Sequence, residues 1–457
     1  MKNNSLHKVG EYWFDSESLL FYPTKYSLSQ IDLFRKEVGK KDSIEETLDI
    51  FKKYDADHMT FPVHAMNEAG ICLTYNCNLR CSYCSDMSCE GFCDNLTSGD
   101  VTAYIKEIAK YWTISQFAEK KKQSLKVYFT GGGEPTYNWN LFVSSVEEIK
   151  MFCKNNMIPL RLGITTNGML NCQQLEFISS NFNTVMVSYD GMPEVQNANR
   201  RSSNGKESND VVTRSIEYFT KCSNIELNIR TTLCPSDIPK LRDMADYLFQ
   251  NFIPAFEWSI RPIIPLGRAL EIDDREKAFI GKNDFLKYYL DLCCYTKEKY
   301  NYERISNSVF PNDINSFSCG AVSFSCPCLW LLPDKRIITC IESSSTVTEI
   351  GEIKDKKFTY HKEYVDPIMK MCYQRLVECQ GCIASRFCRG GCPIRYIEEE
   401  KSNTNLNKWE CEQIQQYWKL LLGKVTNHET WMGWKTEEMK GLLSEKGILK
   451  LVKESRI

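Results

Sequence analysis

From Gly70 to about Arg268, short apolar runs alternate with amphipathic stretches. The runs of strand character are ICLTY (71–75), LKVYFT (125–130), LRLGITT (160–166), TVMVSY (184–189), IELNIRTTL (225–233) and FEWSIRPII (256–264). They are rich in β-branched and aromatic residues and have ordinary strand lengths. Apolar residues at helical spacing fill the gaps, over 100–112, 141–155, 173–180, 209–222 and 237–251. Six such βα repeats predict an α/β fold, a parallel sheet with helices outside it. Six are too few to close an eight-stranded barrel, so a partial (β/α)6 barrel over residues 66–268 is expected. Chemistry in that architecture gathers at the C-terminal ends of the strands.

The flanks read differently. Residues 1–65 open with two aromatic-rich strands, GEYWFD and SLLFYPT, turned by Ser16-Glu17-Ser18. Two helices follow, one near 29–38 and one opened by the capping box of Ser43 and Glu46 and running through Phe51. Residues 269–315 form a charged helical linker, 316–411 a loop-rich region, and 412–457 a tail with apolar helical patterns.

A length of 457 residues predicts two or three domains. The net charge of −2, with no block of like charge, gives no basic face for a nucleic acid. The N-terminus lacks an apolar stretch of signal-peptide length, and no run is long enough to span a bilayer, so a cytoplasmic protein without a membrane partner is expected. In that compartment thiols stay reduced, and 22 cysteines beside five histidines point to metal chemistry rather than disulfides. Many thiolates and few imidazoles favour iron–sulfur clusters, with zinc second.

The cysteines are placed informatively. Cys77, Cys81 and Cys84, in CNLRCSYC, follow the first predicted strand at CxxxCxxC spacing. A structural zinc site closes with four protein ligands, so zinc here would need Cys89 or Cys93 as the fourth. A 4Fe–4S cluster on three cysteines instead keeps one iron open to an outside ligand. The second strand ends in Thr130-Gly131-Gly132-Gly133-Glu134-Pro135, where glycines permit close backbone approach and Pro135 fixes the turn. Thr166-Asn167-Gly168 and Ser188-Tyr189-Asp190-Gly191 end the next two strands. Near the C-terminus Cys379, Cys382, Cys388 and Cys392 run C-x2-C-x5-C-x3-C, with Cys411 beyond and Cys319, Cys326, Cys328 and Cys340 before them.

Together these motifs resemble the radical S-adenosylmethionine (SAM) enzymes that carry a C-terminal SPASM extension, over residues 70–411. The resemblance implies a SAM-binding 4Fe–4S cluster on Cys77, Cys81 and Cys84, with Tyr83 as the aromatic before the last cysteine. It places Gly131, Gly132, Gly133, Glu134 and Pro135 at the amino group of SAM, with Thr166 and Asn167 ending the neighbouring strand. Ser188 and Asp190 are implied near the ribose or methionine moiety, and Arg200, Arg201 and Arg230 as bidentate partners of its carboxylate. Two auxiliary 4Fe–4S clusters are implied, one on Cys319, Cys326 (or Cys328), Cys340 and Cys392, the other on Cys379, Cys382, Cys388 and Cys411.

Such enzymes generate a 5′-deoxyadenosyl radical that takes hydrogen from unactivated carbon, drawing electrons from a donor such as flavodoxin or ferredoxin. The implied substrate is a ribosomally made precursor peptide or a protein, and the implied product a thioether, with a carbon–carbon crosslink next. The N-terminal segment loosely resembles a domain that captures leader peptides by strand addition. A third possibility is the anaerobic sulfatase-maturing enzyme, which makes formylglycine and has an aspartate base directly after the cysteine matching Cys340. Here that residue is Ile341, and Glu342 follows as the candidate catalytic base. A non-catalytic iron–sulfur or zinc protein is the remaining alternative, and it would have no use for the polar strand ends.

Overall fold

A computed structural model of the chain describes residues 6–9, 12–15, 20–23, 68–86, 88, 91, 95–119, 123–263, 267–271, 284–307, 328–341, 349–360, 379, 381–384, 411–412, 414–416 and 419. At the N-terminus the expected hairpin is a three-stranded antiparallel sheet, β1 (Leu6–Val9), β2 (Tyr12–Asp15) and β3 (Leu20–Pro23). The extra strand, LHKV, is half polar and too short to show a pattern, and pairing with β2 supplies its order. The two helices expected at 29–38 and 43–51 lie outside the described residues.

The repeats form as predicted. Parallel strands β4 (Glu68–Ile71), β5 (Leu125–Phe129), β6 (Leu160–Thr166), β7 (Thr184–Ser188), β8 (Glu226–Leu233) and β9 (Phe256–Pro262) lie side by side in chain order. Helices α1 (Ser98–Glu119), α2 (Trp139–Asn155), α3 (Cys172–Asn181), α4 (Pro193–Asn199), α5 (Asn209–Thr220) and α6 (Leu241–Asn251) connect them. The first strand ends earlier than 71–75, because the Thr74 hydroxyl accepts the Asn76 amide (2.9 Å) and the Thr74 carbonyl turns to the Gly133 amide (2.7 Å). The segment expected as one helix over 237–251 is a 3-10 turn, Pro235–Lys240, followed by α6, since Pro239 cannot continue an α-helical ladder. Helix α4 is short and polar and lay outside the expected pattern; Pro193 starts it.

One alternation shapes the whole sheet. In β8, Leu227, Ile229, Thr231 and Leu233 are buried, while Asn228, Arg230 and Thr232 on the other face are half-buried. Strand β9 repeats this with Phe256, Trp258 and Ile260 against Glu257, Ser259 and Arg261. The buried face meets the helices: α2 contributes Phe142, Val146, Ile149 and Cys153, and Phe142 stacks on Phe182 at 5.6 Å. The opposite, polar face is therefore where ligand-binding groups collect.

Neither edge of the six strands is bare. Helix α7 (Asp284–Tyr300), from the expected helical linker, leads to β10 (Ile305–Asn307), which pairs in parallel with β9. On the other side β11 (Cys328–Leu331) pairs in parallel with β4 and leads into antiparallel β12 (Arg336–Ile338), β13 (Glu349–Lys354) and β14 (Lys357–Tyr360). Part of the region expected to be loop-rich thus continues the barrel sheet. Helix α1 clamps it there: the Tyr104 hydroxyl donates to the Leu329 carbonyl (2.6 Å), and Asp100 pairs with Lys335 (3.1 Å). Among the described residues no helix is long and apolar enough to cross a membrane.

Candidate active site

The C-terminal ends of β4 to β9 surround a cavity of about 240 Å3. Cys77, Cys81, Tyr83 and Cys84 line it from the loop after β4, and Gly131, Gly132, Gly133 and Glu134 from the end of β5. Of the other expected residues, Thr166, Asn167, Ser188, Arg200 and Arg230 line it too. The sheet explains their meeting, since Ser188 and Arg230 are register partners on its polar face. Thr165, Thr232, Arg261 and Ile341 also line the wall, and strand alternation from Arg230 would have found Thr232. Two of the expected residues stand elsewhere: Asp190 is fully buried behind the wall, and Arg201 is exposed. Pro135 is buried in the turn that follows Glu134.

The cysteine loop is fastened along its length. The Arg80 amide donates to the Arg201 carbonyl (2.7 Å), Ser82 to Asn199 (2.9 Å) and Ser203 to Asn78 (2.9 Å). Asn167 donates from its side-chain amide to Asn78 Oδ1 (2.7 Å) and approaches Cys77 Sγ (3.8 Å). Burial pushes the Cys77 thiol up to about 12 and the Cys81 thiol up to about 11, with Arg200 and Arg268 pulling Cys81 the other way. Such thiols stay protonated at neutral pH until a metal centre supplies positive charge. Among the described residues no three His, Cys, Asp or Glu side chains converge on the position of a single ion. All three thiols line the one cavity, and a set of cysteine thiolates is the usual donor set of an iron–sulfur cluster.

The glycine segment is tight against β4's end. A Cβ on Gly132 would lie 2.3 Å from Cys72 Sγ, and one on Gly133 only 1.9 Å from the Asn76 carbonyl oxygen. Gly131 and Gly132 also adopt left-handed φ angles of 83° and 61°, where L side chains are strained. Glu134 organises the next strand end. Its buried carboxylate accepts from the Asn167 amide (2.7 Å), the Thr166 hydroxyl (2.9 Å) and the Thr136 hydroxyl (2.8 Å). Burial raises its affinity for a proton, and these donors oppose that.

Asp190 is the anchor beneath the site. It accepts the Tyr83 hydroxyl and the Thr232 amide (3.2 Å). Arg200 Nε lies 3.1 Å from Asp190 Oδ1, at ion-pair range although its N–H points off a hydrogen-bond line. The guanidinium carbon stands 5.2 Å from the centre of the Tyr83 ring. Burial raises the Asp190 carboxyl, while Arg200, Tyr83 and Thr232 draw it back.

Ile341, directly after Cys340, walls the cavity over Gly131, where an added Cβ would meet its side chain at 2.0 Å. Cys340, Cys379, Cys382 and Cys411 are each half-buried, and the Cys382 amide closes a turn on the Cys379 carbonyl (3.1 Å). The backbone of Cys328 begins β11. Glu342, Cys319, Cys326, Cys388 and Cys392 lie outside the described residues, as do Cys89 and Cys93.

The chain is similar to known proteins in sequence and in fold. The family model described as the Radical SAM superfamily matches residues 71–245. The cysteine-type anaerobic sulfatase-maturating enzyme of Clostridium perfringens (strain ATCC 13124) is 24% identical over 370 residues, covering 77% of this chain and 95% of that protein. Among solved structures, native anSMEcpe with bound AdoMet and Cp18Cys peptide has a TM-score of 0.56 at 20% identity, covering 77% of this chain and 99% of that one. Streptococcus suis SuiB bound to precursor peptide SuiA has a TM-score of 0.53 at 14% identity, covering 85% and 93%.

Proposed function

We propose that this chain, a radical SAM enzyme related to the anaerobic sulfatase-maturating enzymes, modifies a ribosomally made precursor peptide by installing a crosslink, a thioether first and a carbon–carbon bond next. The observation that carries the reading is the convergence of Cys77, Cys81 and Cys84 with Gly131–Gly133 on one cavity at the strand ends. Two solved structures similar in fold hold peptides: SuiB is bound to its precursor peptide SuiA, and anSMEcpe to AdoMet and the Cp18Cys peptide.

In this reading Cys77, Cys81 and Cys84 hold a 4Fe–4S cluster, and the cavity takes SAM. When bound, the pair supplies a carbon radical able to remove hydrogen from an unactivated carbon, and the chain supplies orientation and a dry site. The bare backbone of Gly131–Gly133 receives the amino group of SAM, and Arg200 and Arg230 meet its carboxylate. Ser188 stands near the ribose or methionine moiety, while Thr166 holds the Glu134 carboxylate and Asn167 ties it to the cysteine loop. Asp190 works indirectly, holding Tyr83 and Arg200 in place. Further along the chain, Cys319, Cys326, Cys340 and Cys392, then Cys379, Cys382, Cys388 and Cys411, would carry two auxiliary clusters. The β1–β3 sheet offers a place for a leader peptide to add as a strand. A flavodoxin or ferredoxin would supply low-potential electrons.

Sulfatase maturation is the second reading, favoured by the named relatives. Against it stands Ile341, an aliphatic side chain on the cavity wall where the resemblance would require an aspartate base. Glu342 is then the carboxylate left to take the proton. Anaerobic incubation of reduced protein with SAM and a cysteine-bearing precursor peptide, read by mass spectrometry, separates the readings. Loss of two hydrogens together with the free thiol supports the thioether. Loss of sulfur with gain of an aldehyde gives formylglycine and overturns the crosslink. Iron counting should find about twelve irons per chain for three clusters, and four at saturation would remove the auxiliary pair.

A further inference from the structure

Arg268 lies just past β9, far in sequence from the cysteine loop, yet it meets that loop at three points. One guanidinium nitrogen, Nη1, donates to the Cys81 carbonyl (2.6 Å), and the other, Nη2, donates to the Ser88 carbonyl (2.9 Å). Its own backbone amide donates to the Cys84 carbonyl (2.9 Å). The preceding residue is shaped for this contact. Gly267 has a φ of 55°, and a Cβ there would lie 2.4 Å from the Cys84 carbonyl oxygen and 2.3 Å from that of Ser85. The first half of the loop leans on residues 199–203, and the second half leans on Gly267 and Arg268.

We infer that Arg268 is a positioning residue that staples the cysteine loop from behind and fixes a permanent positive charge against the metal centre it holds. This rests on the reading that Cys77, Cys81 and Cys84 hold the cluster. A planar fork can span two carbonyls seven residues apart in sequence; a lysine ammonium on a flexible stem cannot reproduce both contacts at that geometry. The charge matters separately from the fork. Reduction adds negative charge to a cluster, so a fixed cation nearby favours the reduced state and raises the potential.

The two roles are separable in the full-length, anaerobically reconstituted protein. Potentiometric titration would follow the reduced-cluster electron paramagnetic resonance signal that changes on addition of SAM, and a ferrous chelator would report the rate of iron loss. Arg268→Gln, which loses charge and fork, should shift that signal's midpoint to more negative potential and release iron faster. Arg268→Lys, which keeps the charge, should hold the wild-type potential but lose iron roughly tenfold faster, the scale of one lost charge-assisted hydrogen bond. Wild-type potential and wild-type iron loss in Arg268→Gln would overturn the inference. If that variant does not fold, wild-type iron loss in Arg268→Lys overturns it alone. Absence of any SAM-responsive signal in the unaltered protein would instead bring down the cluster assignment on which the inference stands.

Discussion

Replacing Asp190 by asparagine keeps the shape of the side chain beneath the site and removes its charge. The carboxylate is wholly buried, and the Arg200 side chain paired to it is only 8% exposed, so neither water nor salt screens the partner left behind. Breaking a buried pair from one side costs about 3–5 kcal/mol, because the surviving charge stays desolvated. Asparagine can still accept from the Thr232 amide, which places the expected loss near the lower end, about 3 kcal/mol. For a unit the size of this barrel that is a fall of roughly 6–12 °C in Tm. Urea denaturation of the metal-free protein under reducing conditions measures it without interference from cluster loss. Arg200→Gln on the same background removes the stranded charge, so the double variant should be more stable than the sum of the single losses, by roughly 1–3 kcal/mol. Stability of Asp190→Asn within about 0.5 kcal/mol of wild type would refute the reasoning, as would strict additivity in the cycle.

Three further outcomes are expected. Gly133→Ala drives a Cβ to 1.9 Å from the Asn76 carbonyl oxygen and must open the Gly133–Thr74 and Glu134–Asn76 backbone bonds; it should cost about 2–3 kcal/mol and abolish SAM binding in equilibrium dialysis, and wild-type affinity would contradict it. Asp246, on α6 where it faces α7, would be raised by burial, but hydrogen bonds from Tyr295, Tyr300 and Lys299 hold it below its ordinary value of 3.8. It therefore binds a proton more weakly folded than unfolded, so its stabilisation is present above that ordinary value and fades as pH falls through the lowered one. Asp246→Asn should flatten this part of an acid-denaturation curve, and an unchanged curve would count against the pairing. Glu342→Gln should leave 5′-deoxyadenosine formation intact while slowing mature product by roughly 10²-fold, and an unaltered product rate would remove Glu342 as a base.

Much of this was legible in the chain because two constraints act on the same residues. From β5 to β9 one face must be apolar to meet helices and the other polar to line the site, so the alternation in ELNIRTTL or FEWSIRP is hard to misread. The CxxxCxxC spacing of Cys77, Cys81 and Cys84 is equally legible, since it can be read without knowing the fold. What escaped depends on partners distant in sequence. Leu6–Val9 is a strand only because β2 pairs with it, and Pro193–Asn199 is a helix without an apolar stripe. The end of β4 is decided by the Thr74 hydroxyl rather than by the apolar run that continues past it. Arg268 reads as one arginine among many until the fold brings it to the carbonyls of Cys81 and Ser88. Asp190 was legible as a site residue but not as a buried anchor, because a strand-end motif does not reveal which side of the wall a carboxylate takes.

The central claim is that the cavity at the strand ends, through Cys77, Cys81 and Cys84, performs reductive cleavage of SAM. The direct measurement is 5′-deoxyadenosine formed by anaerobically reconstituted, dithionite-reduced protein, set beside the Cys77→Ala, Cys81→Ala, Cys84→Ala triple variant treated identically. The account predicts steady formation by the wild-type chain and none by the variant, with the variant still folded by circular dichroism. Formation of 5′-deoxyadenosine by the triple variant, or its absence from wild-type protein that holds a SAM-responsive cluster, would contradict it.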